Sequence, residues 1–412
     1  MKAVVEPSRV SGAIRAPQSK SYAIRYIFLS LLTDVELFNL VEASDVIDAI
    51  NAVSVFGVKR VGERFLKPPE LSLKSVRVFI KGSATVLRML IPIAAVVGGR
   101  LYIDGGETLR KRPLKSVVKA LSSKGVKFSG ESLPLVMDGR LRDNHVELEG
   151  AESSQYISGF MYAFALSGGG TVAVRPSIPS KLYVYITAQV LSEVGVKVRV
   201  YEGRVEVDAM DRLSHVSTEV PGDFLLASFY VVAALLTGGE VEVYGLPKPG
   251  RFIEHHPVVD VFKAMGAQSL FDNGVWRASA SDTYRGIAVD IEQDPDIAPP
   301  VATLASVAEG ETLLINASRL RIKESDRVET ISSVLRSFGT ESWFDGSSLH
   351  IVGGSLRRAR IACPDDHRIA MMAAAMAAQA GGEVDGAECV DKSNPSFWWD
   401  LMRLGARIAL LR

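Results

Sequence analysis

Along the chain, long apolar runs with helical spacing alternate with short β-branched runs, and glycines stand at the joints. Ser153 to Ser167 reads as a helix, Gly168-Gly169-Gly170 ends it, Thr171 to Val174 is a strand, and Leu182 to Val194 is a second helix. The same order returns at Asp223 to Thr237 followed by Gly238-Gly239, and at Asp366 to Ala380 followed by Gly381-Gly382. Six helical runs close on a short glycine motif: Phe56-Gly57-Val58-Lys59, Lys124-Gly125-Val126-Lys127, Val194-Gly195-Val196-Lys197, Met265-Gly266-Ala267-Gln268, Phe338-Gly339-Thr340-Glu341 and Leu404-Gly405-Ala406-Arg407. These glycines are separated by 68, 70, 71, 73 and 66 residues. The period is too long for a helical solenoid and each unit holds strands, so the pattern predicts six small α/β subdomains. Two sets of three make two lobes of about 200 residues. A boundary falls near Pro221-Gly222, and the segment Met1 to Gln18 can join either lobe.

Composition narrows the function. The 412 residues carry 47 Lys+Arg and 47 Asp+Glu, which argues against a basic nucleic-acid surface and against an acidic solvating tail. At 47% apolar and 23% charged, the chain has the make-up of a globular protein with a large core. Its two cysteines, Cys363 and Cys389, show neither a disulfide framework nor a Cys-x-x-Cys spacing. A reducing compartment, no structural zinc and a packing role for Cys363 are therefore expected. No stretch reaches the roughly 18 to 20 apolar residues of a membrane span, and no signal-peptide run opens the chain, so a cytoplasmic location is expected.

Chemistry gathers where the repeats begin. The six openings are Gln18 to Arg25, Gly82 to Arg88, Glu152 to Tyr156, Gly222 to Phe224, Pro295 to Pro299 and Asp365 to Arg368. Helix starts offer unpaired amides and the positive end of the dipole, and so suit phosphate or carboxylate. Ser, Thr and Asp there are also ordinary caps, and both readings stand. Lys20, Arg25, Arg88 and Arg368, however, lie in first turns where a cation opposes the dipole, which suggests that an anion is expected. Elsewhere Arg110-Lys111-Arg112-Pro113 clusters cations. The run Arg319 to Arg327 mixes them with Glu324 and Asp326, which fits a solvated helix start or a site equally well.

Several of these stretches follow one another as in 5-enolpyruvylshikimate-3-phosphate synthases. They are Ser19-Lys20-Ser21 with Arg25, Arg112-Pro113, Ser153-Ser154-Gln155, Ser180-Lys181-Leu182-Tyr183, Asp296, Lys323-Glu324-Ser325-Asp326-Arg327, Asp366-His367-Arg368 and Lys392. The chain resembles that family from about Val10 to its end. The resemblance implies an α/β fold of two lobes, each of three βαβαββ subdomains, with the active site in the cleft between them. It places residues 1–18 with 222–412 in one lobe and 19–221 in the other. The implied reaction moves the enolpyruvyl group of phosphoenolpyruvate to the 5-hydroxyl of shikimate 3-phosphate and releases phosphate.

By the same resemblance, phosphoenolpyruvate falls to Lys20, Ala84, Arg112, Gln155, Arg327, Arg368 and Lys392. Arginine suits planar, bidentate recognition of such anions. Shikimate 3-phosphate falls to Lys20, Ser21, Arg25, Ser153, Ser154, Gln155, Ser180, Tyr183, Asp296 and Lys323. Asp296 is assigned to the 5-hydroxyl, Glu324 to proton exchange at C3 and Lys20 to the leaving oxygen, and His367 is either a neighbour of Glu324 or a plain helix-start residue. No metal or organic cofactor is implied, and no nucleic-acid or membrane partner; a monomer acting on small molecules is expected. Ala84 stands where many members carry Gly, and its methyl implies lowered sensitivity to glyphosate, which competes for that pocket in this family. Arg319 replaces a common Asn and Leu182 a common Pro. Two rivals remain. A UDP-N-acetylglucosamine enolpyruvyl transferase typically uses a cysteine in its first lobe, whereas both cysteines here lie past residue 360. A non-catalytic phosphate binder on the same scaffold would have no need of both Asp296 and Glu324.

Overall fold

A computed structural model of the chain describes residues 1–149, 153–209 and 213–411; Glu152, in the third repeat opening, lies outside them. Among the described residues six four-stranded sheets account for the strands, and all six have one order of pairing, parallel, antiparallel, antiparallel. In the second, Leu73–Ile80 runs parallel to Gly99–Gly105, which pairs antiparallel with Leu135–Gly139, which pairs antiparallel with Val126–Phe128. The helix Ala84–Val97 connects the parallel pair, and Lys115–Ser122 leads to the antiparallel hairpin. That is one βαβαββ unit, as the periodicity and the family resemblance require. The six junction glycines share one backbone conformation, with φ between 93° and 105°. Side chains rarely adopt it, so glycine marks the same turn in every repeat.

Two compact units hold three sheets each. One comprises Met1–Ser19, Pro221–Pro249 and Glu254–Arg412; the other comprises Lys20–Val220 with Gly250–Ile253. Two strands come from unexpected places. Val216–Glu219, at the far end of its unit, lies parallel to Val35–Phe38 and leads the first sheet. The opposite end of the chain supplies Lys2–Glu6, which sits inside the sixth sheet between Gly382–Asp385 and Arg407–Leu411. Gly12–Arg15 then opens the fourth sheet beside Glu240–Tyr244.

The first helix of each repeat is the core element. In Phe224–Leu236 every residue is buried, and it packs with Ala298–Ala305 and His367–Ala380 at the centre of its unit. A helix apolar on all sides can only be stable when enclosed in this way. In the other unit Ala84–Val97 and Ser154–Ser167 cross closely. A Cβ at Gly159 would lie 2.7 Å from the carbonyl oxygen and 2.8 Å from the Cα of Met89, so only glycine permits that approach.

One expectation is overturned. Cys363 and Cys389 are joined in a disulfide, where the sequence suggested no bridge and mere packing. Parallel pairing explains it: Ala362 stands beside Asp385, so the segments leaving these two strands emerge side by side. A spacing of 26 residues carries no sign of this, because the neighbourhood is made by the crossover helix between them.

Candidate active site

The residues singled out from the sequence fall into two groups, one in each unit. In the first, the helix Arg327–Ser337 begins with its cap Asp326, whose carboxylate accepts from the amides of Val328 and Glu329. This start aims Arg327 inward. Its side chain is fully enclosed, and three carboxylates converge on it. Nε donates to Asp366 at 2.8 Å, Nη1 to Asp296 at 2.6 Å, and Nη2 to Glu324 at 2.9 Å and to Asp366 at 3.1 Å. Lys323 adds a second cation, 3.2 Å from Asp296. Burial acts to lower the Arg327 guanidinium, but the carboxylates, Asp366 foremost, outweigh it and hold the pKa well above the ordinary value. For Lys323 burial prevails over the attraction of Asp296, and its ammonium is pulled below its usual value.

Asp366 does double service. It caps the His367–Ala380 helix by accepting from the amide of Arg368 at 3.1 Å, and Ser325 Oγ donates to it at 3.0 Å. The guanidinium of Arg327, the turn of Ser325 and the start of the helix carrying Arg368 are therefore locked together. Lys392 closes the turn Ala387–Lys392, which packs on that helix, and the Cys363–Cys389 bond ties the turn covalently to the segment that leads into the helix.

In the second unit the helix Lys20–Leu29 opens on Lys20, whose Nζ meets Asp45 Oδ2 at 2.8 Å. Arg25 is buried, and burial lowers its pKa from the usual value. Its donors reach Thr187 Oγ1 at 2.7 Å, the Ser21 carbonyl at 2.8 Å and the Tyr183 carbonyl at 3.0 Å. The guanidinium thus knits Ser21 and Tyr183, both singled out from the sequence, into one cluster. Ser180 takes a left-handed conformation at φ 47°, and its hydroxyl is not spent on capping its own helix. Gln155 joins two repeats: its amide donates to Thr85 Oγ1 at 2.8 Å, and its carbonyl accepts from Arg88 at 3.0 Å. Tyr156 Oη donates to the carbonyl of Pro113 at 2.8 Å, which fixes the loop carrying Arg112.

Four repeat openings turn out to be capped by their own side chains: Ser83, Ser153, Asp223 and Asp366 each accept from amides of the helix they begin. The capping reading therefore holds at these four, and the cations near them answer to side chains of the protein as well. Arg88, for example, is held by Gln155 and lies over the ring of Tyr156, 5.5 Å from its centroid.

The sequence reading missed several acids. Asp45 lies in the first turn of Ser44–Ser54, where acids are ordinary dipole partners, and Asp48 one turn further on, yet both are buried. Also missed was a buried pair, His256 with Asp294, 3.1 Å apart. The amide of Val258 donates to His256 Nδ1, leaving Nε2 toward the carboxylate. Burial pushes the imidazole down and the Asp294 carboxyl up. Nothing in local spacing links positions so far apart, and the run Arg251 to Pro257, with Glu254 and His255 beside His256, reads as an ordinary polar loop.

Among the described residues no helix is long and apolar enough to cross a membrane. Nor does any group of three His, Cys, Asp or Glu among them form a metal-holding set; the three carboxylates that converge do so on a guanidinium.

Comparison with known proteins gives one consistent answer. The sequence model of the family described as EPSP synthase (3-phosphoshikimate 1-carboxyvinyltransferase) matches residues 4–401. A protein of Saccharolobus solfataricus named 3-phosphoshikimate 1-carboxyvinyltransferase is 45% identical over 410 residues, covering 98% of this chain and 99% of its own. One of the same name from Sulfurisphaera tokodaii is 42% identical over 409 residues, with the same coverage. The solved structure of an EPSP synthase from Acinetobacter baumannii superposes with a TM-score of 0.79 at 21% identity, over 99% of this chain and 100% of that one. The last establishes the fold alone, but with the relatives and the family match spanning nearly every residue, the chain belongs to the EPSP synthase (3-phosphoshikimate 1-carboxyvinyltransferase) family.

Proposed function

We propose that this protein transfers the enolpyruvyl group of phosphoenolpyruvate to the 5-hydroxyl of shikimate 3-phosphate, with Asp296, Glu324 and Lys20 moving the protons. The observation that carries the reading is the cluster around Arg327: two candidate acids, Asp296 and Glu324, are held on one guanidinium with Lys323 beside Asp296. Such a cluster fixes a proton acceptor and a proton donor at set positions, and preorganisation of this kind supplies much of an enzyme's rate.

In the addition step the 5-hydroxyl oxygen bonds to C2 of phosphoenolpyruvate and its proton passes to Asp296, while C3 takes a proton from Glu324. In the elimination step C3 returns a proton to Glu324, the C2–O bond to phosphate breaks, and Lys20 supplies the proton taken by the leaving oxygen. Asp296 then gives its proton up to solvent and Lys20 regains one from it, which restores both groups, so that in the net balance the 5-hydroxyl proton leaves with inorganic phosphate. Arg112, Arg368 and Lys392 take the anionic groups of phosphoenolpyruvate, beside Ala84 and Gln155. Arg327 orients the acids, and meets the substrate carboxylate only as a carboxylate of its own cluster yields. Ser21, Arg25, Ser153, Ser154, Gln155, Ser180, Tyr183 and Lys323 hold shikimate 3-phosphate. The protein acts as a monomer in the cytoplasm on this reading.

The test is a coupled phosphate-release assay with both substrates. Wild-type protein releases phosphate only when both are present, and Glu324→Gln abolishes turnover while keeping the fold. Release from phosphoenolpyruvate alone, or full activity in Glu324→Gln, overturns the assignment.

A further inference from the structure

The loop that opens the second repeat is shaped by a carboxylate from the first. Asp48 is buried, only 3% exposed. Its Oδ1 accepts from the amide of Lys81 at 2.8 Å, and its Oδ2 from the amides of Gly82 and Ser83 at 3.0 Å each. Three successive backbone N–H groups pointing at one place form a nest of the kind that elsewhere cradles phosphate. Here the protein fills it with its own acid. Hydrogen bonds set the shape of the loop at its tip, since a Cβ added at Gly82 would meet nothing within 4 Å. Beyond the nest, Ser83 Oγ accepts from the amide of Val86, and Thr85 accepts from Gln155. Ala84 is thus held between two fixed points. The same helix, Ser44–Ser54, also carries Asp45 one turn earlier, bonded to Lys20.

We infer that Asp48 is a positioning residue that determines phosphoenolpyruvate recognition: its carboxylate occupies the amide nest of Lys81, Gly82 and Ser83, and so fixes Ala84 and Thr85. Two consequences follow. The loop keeps its shape without ligand, and phosphoenolpyruvate has to place its anionic groups on side chains, because the nest is taken. Through Asp45, one rigid helix also sets the distance between Lys20 and this loop. The inference rests on the reading above that Ala84 lines the phosphoenolpyruvate pocket.

Asp48→Asn keeps the size of the side chain but replaces charge-assisted bonds with neutral ones, of roughly half the strength, and places an amide donor against amides. In steady-state kinetics with both substrates varied, KM for phosphoenolpyruvate rises about tenfold while KM for shikimate 3-phosphate stays within about twofold and kcat changes little. In Asp48→Ala, added formate refills the nest and lowers KM for phosphoenolpyruvate in proportion to its occupancy; formamide, of similar size but neutral, does not. Amide hydrogen exchange on the wild type provides a reading independent of any variant. Lys81, Gly82 and Ser83 are protected without ligand, and phosphoenolpyruvate leaves that protection unchanged. An active wild type whose Asp48→Asn variant keeps its KM for phosphoenolpyruvate, or raises both KM values equally, overturns the inference and leaves the proposed reaction standing. Fast exchange at all three amides in the free protein overturns it as well. A wild type that releases no phosphate from the two substrates removes the reaction and this inference together.

Discussion

The Cys363–Cys389 bond lends itself to a quantitative test, because its effect can be worked from the chain it closes. The bridge spans 26 residues, and closing a loop of that length removes about 3.5 kcal/mol of unfolded-chain entropy at 25 °C on the chain-entropy relation. It lies wholly within the unit made of Met1–Ser19, Pro221–Pro249 and Glu254–Arg412, about 200 residues. At about 2.1 cal/mol/K per residue that unit unfolds with an entropy near 0.4 kcal/mol/K, so losing the bridge lowers its Tm by about 8 °C, or by about 4 °C if the whole chain melts at once. Differential scanning calorimetry of the wild type with and without reductant, beside the Cys363→Ser/Cys389→Ser double variant, measures the shift. The double variant should melt where the reduced wild type melts, and reductant should not move it further. The bridge joins the segment before Asp366 to the turn that ends in Lys392, so KM for phosphoenolpyruvate should rise on reduction. Thiol titration of the protein, denatured without reductant, gives none per chain if the reasoning holds. Two thiols there, or a double variant melting within about 1 °C of the wild type, would refute it.

Four further expectations can be checked directly. Arg327→Lys gives up the forked contacts with Asp366, Asp296 and Glu324, and kcat/KM should fall by about 100-fold or more in the phosphate-release assay; a loss under tenfold counts against the organising role. Burial lowers the pKa of Lys323, so it is charged at low pH and loses its proton as pH rises, below the 10.5 of an ordinary lysine. The pH profile should therefore have an alkaline limb that Lys323→Arg moves to higher pH, and an unmoved limb assigns it elsewhere. Gly159→Ala places a methyl 2.7 Å from the Met89 carbonyl oxygen, and should cost about 1 to 3 kcal/mol in denaturant unfolding; an unchanged midpoint would show that the crossing helices give way freely. Ala84→Gly enlarges the phosphoenolpyruvate pocket on the proposed reading, and its glyphosate inhibition constant should drop below that of the wild type.

How legible this was in the sequence depended on distance along the chain. The glycines at 57, 125, 195, 266, 339 and 405 announced the repeat because each acts on its own turn, and all six adopt the same positive φ. Motifs such as Lys323 to Arg327 were visible for the same reason. What stayed hidden was pairing across the fold. Asp48 serves amides 33 to 35 positions away, and Arg25 reaches Thr187 across 162. Arg25 and Arg327 read as substrate cations, and the structure shows each already committed to neighbours in its own unit. Their role therefore includes holding other site residues in place, a role the residue type alone does not disclose.

The sixth sheet has a consequence for how the molecule is made. Its third strand, Lys2–Glu6, is translated before nearly all the rest of its unit, and the strand that pairs with its free side, Arg407–Leu411, after it. The unit formed from Lys20–Val220 has nearly all its parts as soon as residue 220 has been translated. The other unit must keep that strand waiting until Gly382–Asp385 and Arg407–Leu411 have been made. A strand made early is thus one of the last parts of its unit to find its place, and Lys2–Glu6 forms an interior seam of the sheet rather than an edge.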